Sequence, residues 1–244
     1  MTYKFKEITD TVKKIFINNK GSHDWDHTER VLNMAEKIAL SENADIDIVR
    51  YAAVLHDISR HDEDMSKGII HHEEKGAVEA RKVLLSFGID DITADKVCHC
   101  ILTHRFRRGN KPETLEAKVL FDADKLDGIG AIGIGRAFVF AGENKARVHD
   151  PDVDIEKTKS YSKEDTAYRE YLVKLSKIKD RMLTKSGKEI ALNRHQFMVE
   201  FFDRLNDEYK GIVRESLPQG TQIYVRGSAG TGSVYLVSQY LVKS

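Results

Sequence analysis

His56 and Asp57 stand side by side at the close of the apolar run Ala52-Ala53-Val54-Leu55, with His27 upstream and Asp124 downstream. Consecutive residues at the end of a buried helix can both turn toward one point, so a His-Asp pair there suits two ligands of one metal ion. Imidazole nitrogen together with carboxylate oxygen fits a divalent ion of intermediate hardness. Mn²⁺ ranks first, Co²⁺, Ni²⁺, Fe²⁺ and Zn²⁺ follow, and Mg²⁺ ranks last because it prefers oxygen ligands. Such an ion polarises a phosphoryl oxygen and lowers the pKa of a bound water, which points to metal-assisted hydrolysis. Taken alone, the dipeptide is more simply read as a helix cap paired with its neighbours. Its weight depends on what surrounds it.

The elements that must position these residues read as helices. Prolines occur only at 112, 151 and 218, and the apolar residues before Pro112 recur at intervals of three and four. The pattern predicts an all-α body with helices over about residues 3–18, 25–41, 46–57, 71–87, 92–104, 113–127 and 130–141. Gly21, Gly68, Gly88 and Gly109 fall between them, and Pro112 with Glu113 and Glu116 marks a helix start. Residues 146–161 turn charged and aperiodic around Asp150-Pro151-Asp152, as an exposed loop or lid would. Two more helices are expected over about 163–182 and 185–216, with Phe197, Phe201, Phe202 and Leu205 as core. Beyond them, Thr221–Arg226 and Ser233–Val242 flank a glycine-rich connector and read as a small C-terminal β-hairpin-like extension. The expected division is 1–217, with a catalytic core over about 20–140 and a helical cap over about 160–216, and then 218–244 as an extension or tail.

Lys plus Arg and Asp plus Glu number 39 each, so no global field draws the chain to nucleic acid or a membrane surface. A small phosphorylated molecule, probed by local charges, suits this balance better than a polymer. Cys98 and Cys100 lie two apart on an expected helix and point to different faces, which disfavours a thiolate zinc site. With no secretory leader and no apolar run of about 18 residues, the expected setting is cytoplasmic. Homo-oligomerisation stays open.

His27 lies in Ser22-His23-Asp24-Trp25-Asp26-His27, and Asp124 in Asp122-Ala123-Asp124-Lys125-Leu126-Asp127-Gly128-Ile129-Gly130. A histidine, a distant His-Asp pair and a later aspartate within an Ala-Asp-basic-Leu segment resemble the HD-domain metal-dependent phosphohydrolase superfamily. The resemblance covers roughly 20–140, and extends over most of 1–210 for the branch with these flanking segments. It implies an HD-domain helical bundle and metal ligation by His27, His56, Asp57 and Asp124. His72 and Glu73, followed by Gly76, resemble the helix start that supplies a catalytic histidine and carboxylate, so His72, Glu73 and Asp57 are the catalytic candidates; His71 is the alternative to His72. His104 resembles the further histidine of two-metal members. A single ion, with His72 and His104 as acid, base or phosphate contacts, is the preferred reading, and two ions the alternative.

Arg30, His104, Arg105, Arg107 and Lys125 stand close in sequence to these positions and are candidates for phosphate binding, with Arg108 beside them. His23, Asp122 and Asp127 flank the implied ligands and would orient them from behind. Arg60 stands where some branches place an acid or histidine, so the general acid is not assigned by analogy. Gly128-Ile129-Gly130 and Gly133-Ile134-Gly135 lack a following Gly-Lys-Ser/Thr and read as close helix packing. The implied activity is hydrolysis of a phosphoanhydride or phosphoester in a nucleotide-like small molecule, with nucleoside triphosphate pyrophosphohydrolysis first. Cyclic or dinucleotide phosphodiester cleavage and a non-hydrolytic nucleotide-binding regulatory module are the alternatives.

Overall fold

The computed structural model describes residues 3–16, 25–106, 109–213, 223–227 and 234–238. In chain order its helices are α1 (Tyr3–Phe16), α2 (Trp25–Glu42), α3 (Ile46–Leu55), α4 (Arg60–Met65), α5 (His72–Ser86), α6 (Asp91–Thr103), α7 (Leu115–Leu126), α8 (Gly130–Glu143) and α9 (Ala167–Val173). A 3₁₀ helix (Leu175–Arg181) and α10 (Lys185–Tyr209) follow. The chain divides into two compact units, Met1–Asp203 and Arg204–Ser244. The second holds an antiparallel hairpin of β1 (Ile223–Gly227) and β2 (Val234–Ser238), with Ile223 opposite Ser238 and Gly227 opposite Val234. Among the described residues no helix is long and apolar enough to cross a membrane.

α3 is the centre of the first unit because most of its surface is apolar, with Asp47 and Arg50 the exceptions: Val49, Ala52, Ala53, Val54 and Leu55 are all fully buried. Asp45 starts it, accepting hydrogen bonds from the amides of Asp47 and Ile48 at 3.1 and 3.3 Å. Packed around it are α2, α6 and α7, with α5 laid along α6 as a helical hairpin. Asp90 and Thr114 cap α6 and α7 in the same way, through the amides of Thr93 and Ala117. The C-terminal ends of α3, α6 and α7 and the N-terminal ends of α2 and α5 carry the histidines and carboxylates singled out above.

Three elements differ from the sequence pattern. The helix expected over 46–57 stops at Leu55, where Ile58 N–H bonds to Leu55 O and Arg60 N–H to Asp57 O, and the short α4 follows. Those tight three-residue links turn His56 and Asp57 out of the helical ladder. The helix expected over 163–182 begins only at Ala167, capped by Thr166, and breaks at Lys174 into the 3₁₀ helix. Leu175 and Ile178 are its buried residues, and a three-residue apolar spacing matches the three-residue turn. The last helix ends at Tyr209, short of 216. The expected lid over 146–161 is tied at its far end: buried Arg169 donates from Nε to Thr158 Oγ1 at 2.6 Å and from Nη1 to Asp165 at 2.8 Å.

Gly133 has the role expected of close packing. A Cβ there would lie 2.3 Å from Gly128 O, so only glycine lets α8 fold back on the turn that leaves α7.

Candidate metal centre

Four imidazoles and two aspartates converge on one buried point. His56 caps α3 with helical dihedrals, and its Nδ1–H donates to Ala53 O at 2.8 Å. His104 caps α6 identically, donating to Ile101 O at 2.6 Å. A ring nitrogen facing a carbonyl must carry the proton, so in both rings Nε2 presents a bare lone pair to the centre. His27 Nε2 lies 3.3 Å from His56 Nε2 and 3.5 Å from Asp124 Oδ1. Asp57 stands between two donor sets: Oδ2 is 3.6 Å from His56 Nε2 and 3.8 Å from His27 Nε2, while Oδ1 is 3.0 Å from His72 Nε2 and 3.8 Å from His104 Nε2. The donors of His27, His56 and Asp124, and those of Asp57, His72 and His104, each lie within 4.8 Å of one another.

Each set is braced from behind by one carboxylate. Asp127 accepts from His27 Nδ1 at 2.7 Å and is itself held by Arg30 Nε at 2.6 Å and Arg136 Nη1 at 2.7 Å. Glu63, on α4, takes His72 Nδ1 in a very close contact and is held by Arg105 Nη1 at 2.9 Å and Arg60 Nη1 at 3.3 Å. Glu63, His72 and Glu73 form a third acidic group, but the Arg105 guanidinium fills it, reaching Glu73 at 3.3 Å as well.

The electrostatics fit a cation. Burial opposes a charge on His27, yet the carboxylates of Asp124 and Asp127 outweigh it and raise its pKa to about 9. Burial, with Asp57 as the opposing influence, lowers His56, and burial with His56 alongside pushes His104 down to about 3. Burial would raise Asp124, but Lys125 and His27 hold it well below the usual carboxylate range. Glu63 is likewise brought down to about 2, against its burial, by His72 and Arg105. Two bare Nε2 lone pairs at 3.3 Å repel unless a cation or a proton lies between them. The carboxylates that raise the pKa of His27 would likewise favour a metal cation beside it. The donor set present therefore fits a divalent transition-metal ion.

The remaining candidates take varied positions. Lys125 lies 2.5 Å from Asp124 Oδ2 and against the Phe121 ring at 5.3 Å. Arg105 and Lys125 line the cleft above the donors, whereas Arg30, expected at the phosphate, is bound to Asp127 and is not among the lining residues. Asp122 does not orient a ligand: it accepts from Leu183 N, Thr184 N and Thr184 Oγ1 at 2.8, 2.7 and 2.6 Å, mooring the start of α10. His71 precedes α5 as its cap, and His72 is the ring that enters the centre. His23, Arg107 and Arg108 lie outside the described residues. Sequence reasoning missed Glu63 and Arg136; Glu63 shows only as an acidic residue soon after Asp57, and Arg136 gave no signal in its glycine-rich helix. The cleft itself has a volume of about 1090 Å³, and its outer wall carries the Phe140 and Tyr161 rings, 5.5 Å apart edge to face.

A sequence model of the HD domain matches residues 24–129, a stretch that includes His27, His56, Asp57, His72, His104 and Asp124. The chain is 35% identical to the protein YpgQ of Bacillus subtilis over 215 residues, covering 86% of this chain and 96% of that one. The crystal structure of Bacillus subtilis YpgQ in complex with ADP superposes with a TM-score of 0.64 at 32% identity, covering 86% and 96% of the two chains. An HD-superfamily hydrolase from Bacillus thuringiensis superposes with a TM-score of 0.68 at 28% identity, covering 85% and 97%. With the ordered ligands, the helical scaffold and these relatives in agreement, the chain belongs to the HD-domain superfamily of metal-dependent phosphohydrolases.

Proposed function

We propose that this enzyme hydrolyses nucleoside triphosphates to the monophosphate and pyrophosphate, with one divalent ion held by His27, His56, Asp57 and Asp124. The observation that carries the reading is Asp57 at the floor of a large cleft, with one oxygen toward the ligand set and the other toward His72. The ADP complex of YpgQ supports a nucleotide as the ligand. When bound, the ion supplies Lewis-acid polarisation of the phosphoryl oxygen and acidifies water to near neutral pH.

The chain's own residues do the rest. Asp127 fixes His27, and the carbonyls of Ala53 and Ile101 fix the rings of His56 and His104, so no ligand must reorganise during turnover. A new bond forms from water oxygen to the α-phosphorus while the α–β bridging bond breaks, its electron pair leaving with pyrophosphate and the proton of the attacking water passing to solvent. His72 is the proton donor to that leaving oxygen. Its pKa is raised, since Asp57 and Glu63 outweigh burial, and Glu63 engages Nδ1 so that the transferable proton sits at Nε2. Lys125 and Arg105, each paired with a carboxylate of the chain, add positive potential at the rim rather than a dedicated phosphate contact.

The test is a screen of nucleoside mono-, di- and triphosphates and of cyclic and dinucleotide diesters against Mn²⁺, Co²⁺, Ni²⁺ and Mg²⁺, with phosphate and pyrophosphate detected separately. Pyrophosphate released in equal amount with monophosphate, best with Mn²⁺, is the expected result. Orthophosphate as the first product, or turnover of diesters alone, would overturn the assignment of the bond. Nucleotide binding without turnover under every ion would leave a regulatory module instead.

A further inference from the structure

Seven lysine and arginine side chains line the cleft, and five are already committed: Arg60, Arg105, Lys125, Arg136 and Lys174 each pair with a carboxylate at 3.1 Å or less. Those nearest the metal ligands are thus spent on the protein's own acids. Lys177 and Arg181, on the 3₁₀ helix, carry no ion pair among the described residues. An exposed cation needs no partner, and a solvated lysine would mean nothing elsewhere. These two differ because their helix is fixed and its placement is specific.

Leu175 and Ile178 bury the inner face of that helix, and the backbone just beyond it is moored to Asp122 through Leu183 and Thr184. Asp122 lies two residues before the ligand Asp124 on the same helix, α7. The Arg181 guanidinium rests on the Phe121 ring at 5.9 Å, the ring that Lys125 also covers at 5.3 Å, and Lys125 touches Asp124. One short chain of contacts therefore joins Arg181 to the metal ligands. A triphosphate whose reacting phosphorus sits at the donors must place two further phosphates in the cleft, and their charge needs positive groups that are still available.

We infer that Lys177 and Arg181 form a subsite for linked phosphates, holding the part of a polyphosphate that becomes the leaving group. The subsite lies outside residues 24–129, the stretch that the HD-domain model matches. It deepens the proposed hydrolysis and rests on that reading only for its role in turnover; the binding itself is tested separately.

Titration calorimetry on the full chain in chelator, with inorganic tripolyphosphate and orthophosphate as the probes, reads the subsite without metal. Tripolyphosphate should bind well above orthophosphate, and the double variant Lys177→Ala/Arg181→Ala should weaken it by about tenfold or more, with Arg181→Lys in between. Unchanged circular dichroism in the exposed-residue variants would separate lost contacts from lost folding. Equal tripolyphosphate binding by wild type and double variant, or none by wild type, overturns the subsite. In steady-state assays the double variant should raise KM for nucleoside triphosphates by about tenfold with little change in kcat, and leave KM for any monophosphate substrate unchanged. A uniform rise in KM would assign the pair to the nucleoside instead and overturn the inference. Inorganic tripolyphosphate that binds at the pair but fails to compete with nucleoside triphosphate would do the same. If every nucleotide is inert while tripolyphosphate binding still depends on the pair, the hydrolytic reading falls and the subsite stands.

Discussion

The donor set on α2, α3 and α7 and the set on α5 and α6 meet at Asp57, and each combines one histidine fixed by a backbone carbonyl with one fixed by a carboxylate. Their braces differ. Asp127 is gripped by arginines arriving from α2 and α8, so three long helices are locked together behind His27. Glu63 sits on the six-residue α4 and is gripped by Arg60 one turn away and by Arg105 just past α6. A helix of fewer than two turns has little stability of its own, so the second brace can adjust more readily than the first. The contrast suggests a division of labour: a stiff cradle for the ion on one side, and on the other a histidine whose position and proton can respond to substrate.

Asp57→Ala removes the one residue that both sets share. It should abolish metal content and reduce turnover by on the order of 10³-fold or more while leaving helical circular dichroism intact. Activity retained in a metal-free Asp57 variant would refute the shared centre altogether.

Asp127→Asn and Glu63→Gln then separate the two sides. Each should cost roughly 10- to 100-fold, the usual effect of loosening the support of a ligand. The loss should appear as weaker metal affinity for Asp127→Asn and as lower kcat at saturating metal for Glu63→Gln. Equal losses of metal affinity in both variants, measured by competition with a chelating dye, would mean that His72 is a ligand and that the centre takes two ions.

The difference in bracing also explains what the sequence could reveal. His27, His56, Asp57 and Asp124 are recognisable because each sits in a short local pattern at a helix end, and Asp127 follows Asp124 by one turn. Glu63 escaped because α4, at six residues and mostly charged, has no apolar period to announce it. Arg30 was legible as a cation near a ligand, but whether it faces phosphate or Asp127 depends on α7, nearly a hundred residues away. Lys177 and Arg181 were hidden by the reading of 163–182 as one α-helix, which sets side chains 100° apart where the 3₁₀ helix sets them about 120° apart. The scaffold was legible wherever period and capping agree, as in α3, α6 and α7. Long-range polar pairing was not, because it has no period at all.

Gly187→Ala tests whether the stiff side depends on the mooring of α7. A Cβ at Gly187 would fall 2.2 Å from Asp122 Oδ2 and 2.7 Å from Thr184 Oγ1, so the Asp122 contacts must give way. A cost of about 1–3 kcal/mol in urea unfolding is expected, as for other overpacked sites. Metal affinity should fall with it, and kcat at saturating metal should not. A variant as stable as wild type would show that the start of α10 shifts freely and adds nothing to the first set.

The gentlest probe is pH acting on the chelator-treated protein, where one histidine of each kind titrates in opposite senses. His27 is raised from the ordinary value near 6.5 to about 9 in the folded chain, so its contribution is full below about 6.5 and is lost as pH climbs through 9. His104 is lowered to about 3, so it folds neutral: its contribution is full above about 6.5 and is lost as pH falls toward 3. Metal-free stability should therefore peak near pH 6.5, with the two flanks each losing on the order of 1 kcal/mol per unit of pH at most. Saturating Mn²⁺ should flatten the alkaline flank, because the positive charge that His27 needs from a proton is then supplied by the ion. Asp127→Asn should reduce that flank without metal, since it removes one of the two carboxylates that raise His27 while His72, also raised, keeps the remainder, and should leave the acid flank of His104 in place. An alkaline flank unchanged by both treatments would place its origin away from the first donor set, with His72 of the second set the remaining raised histidine.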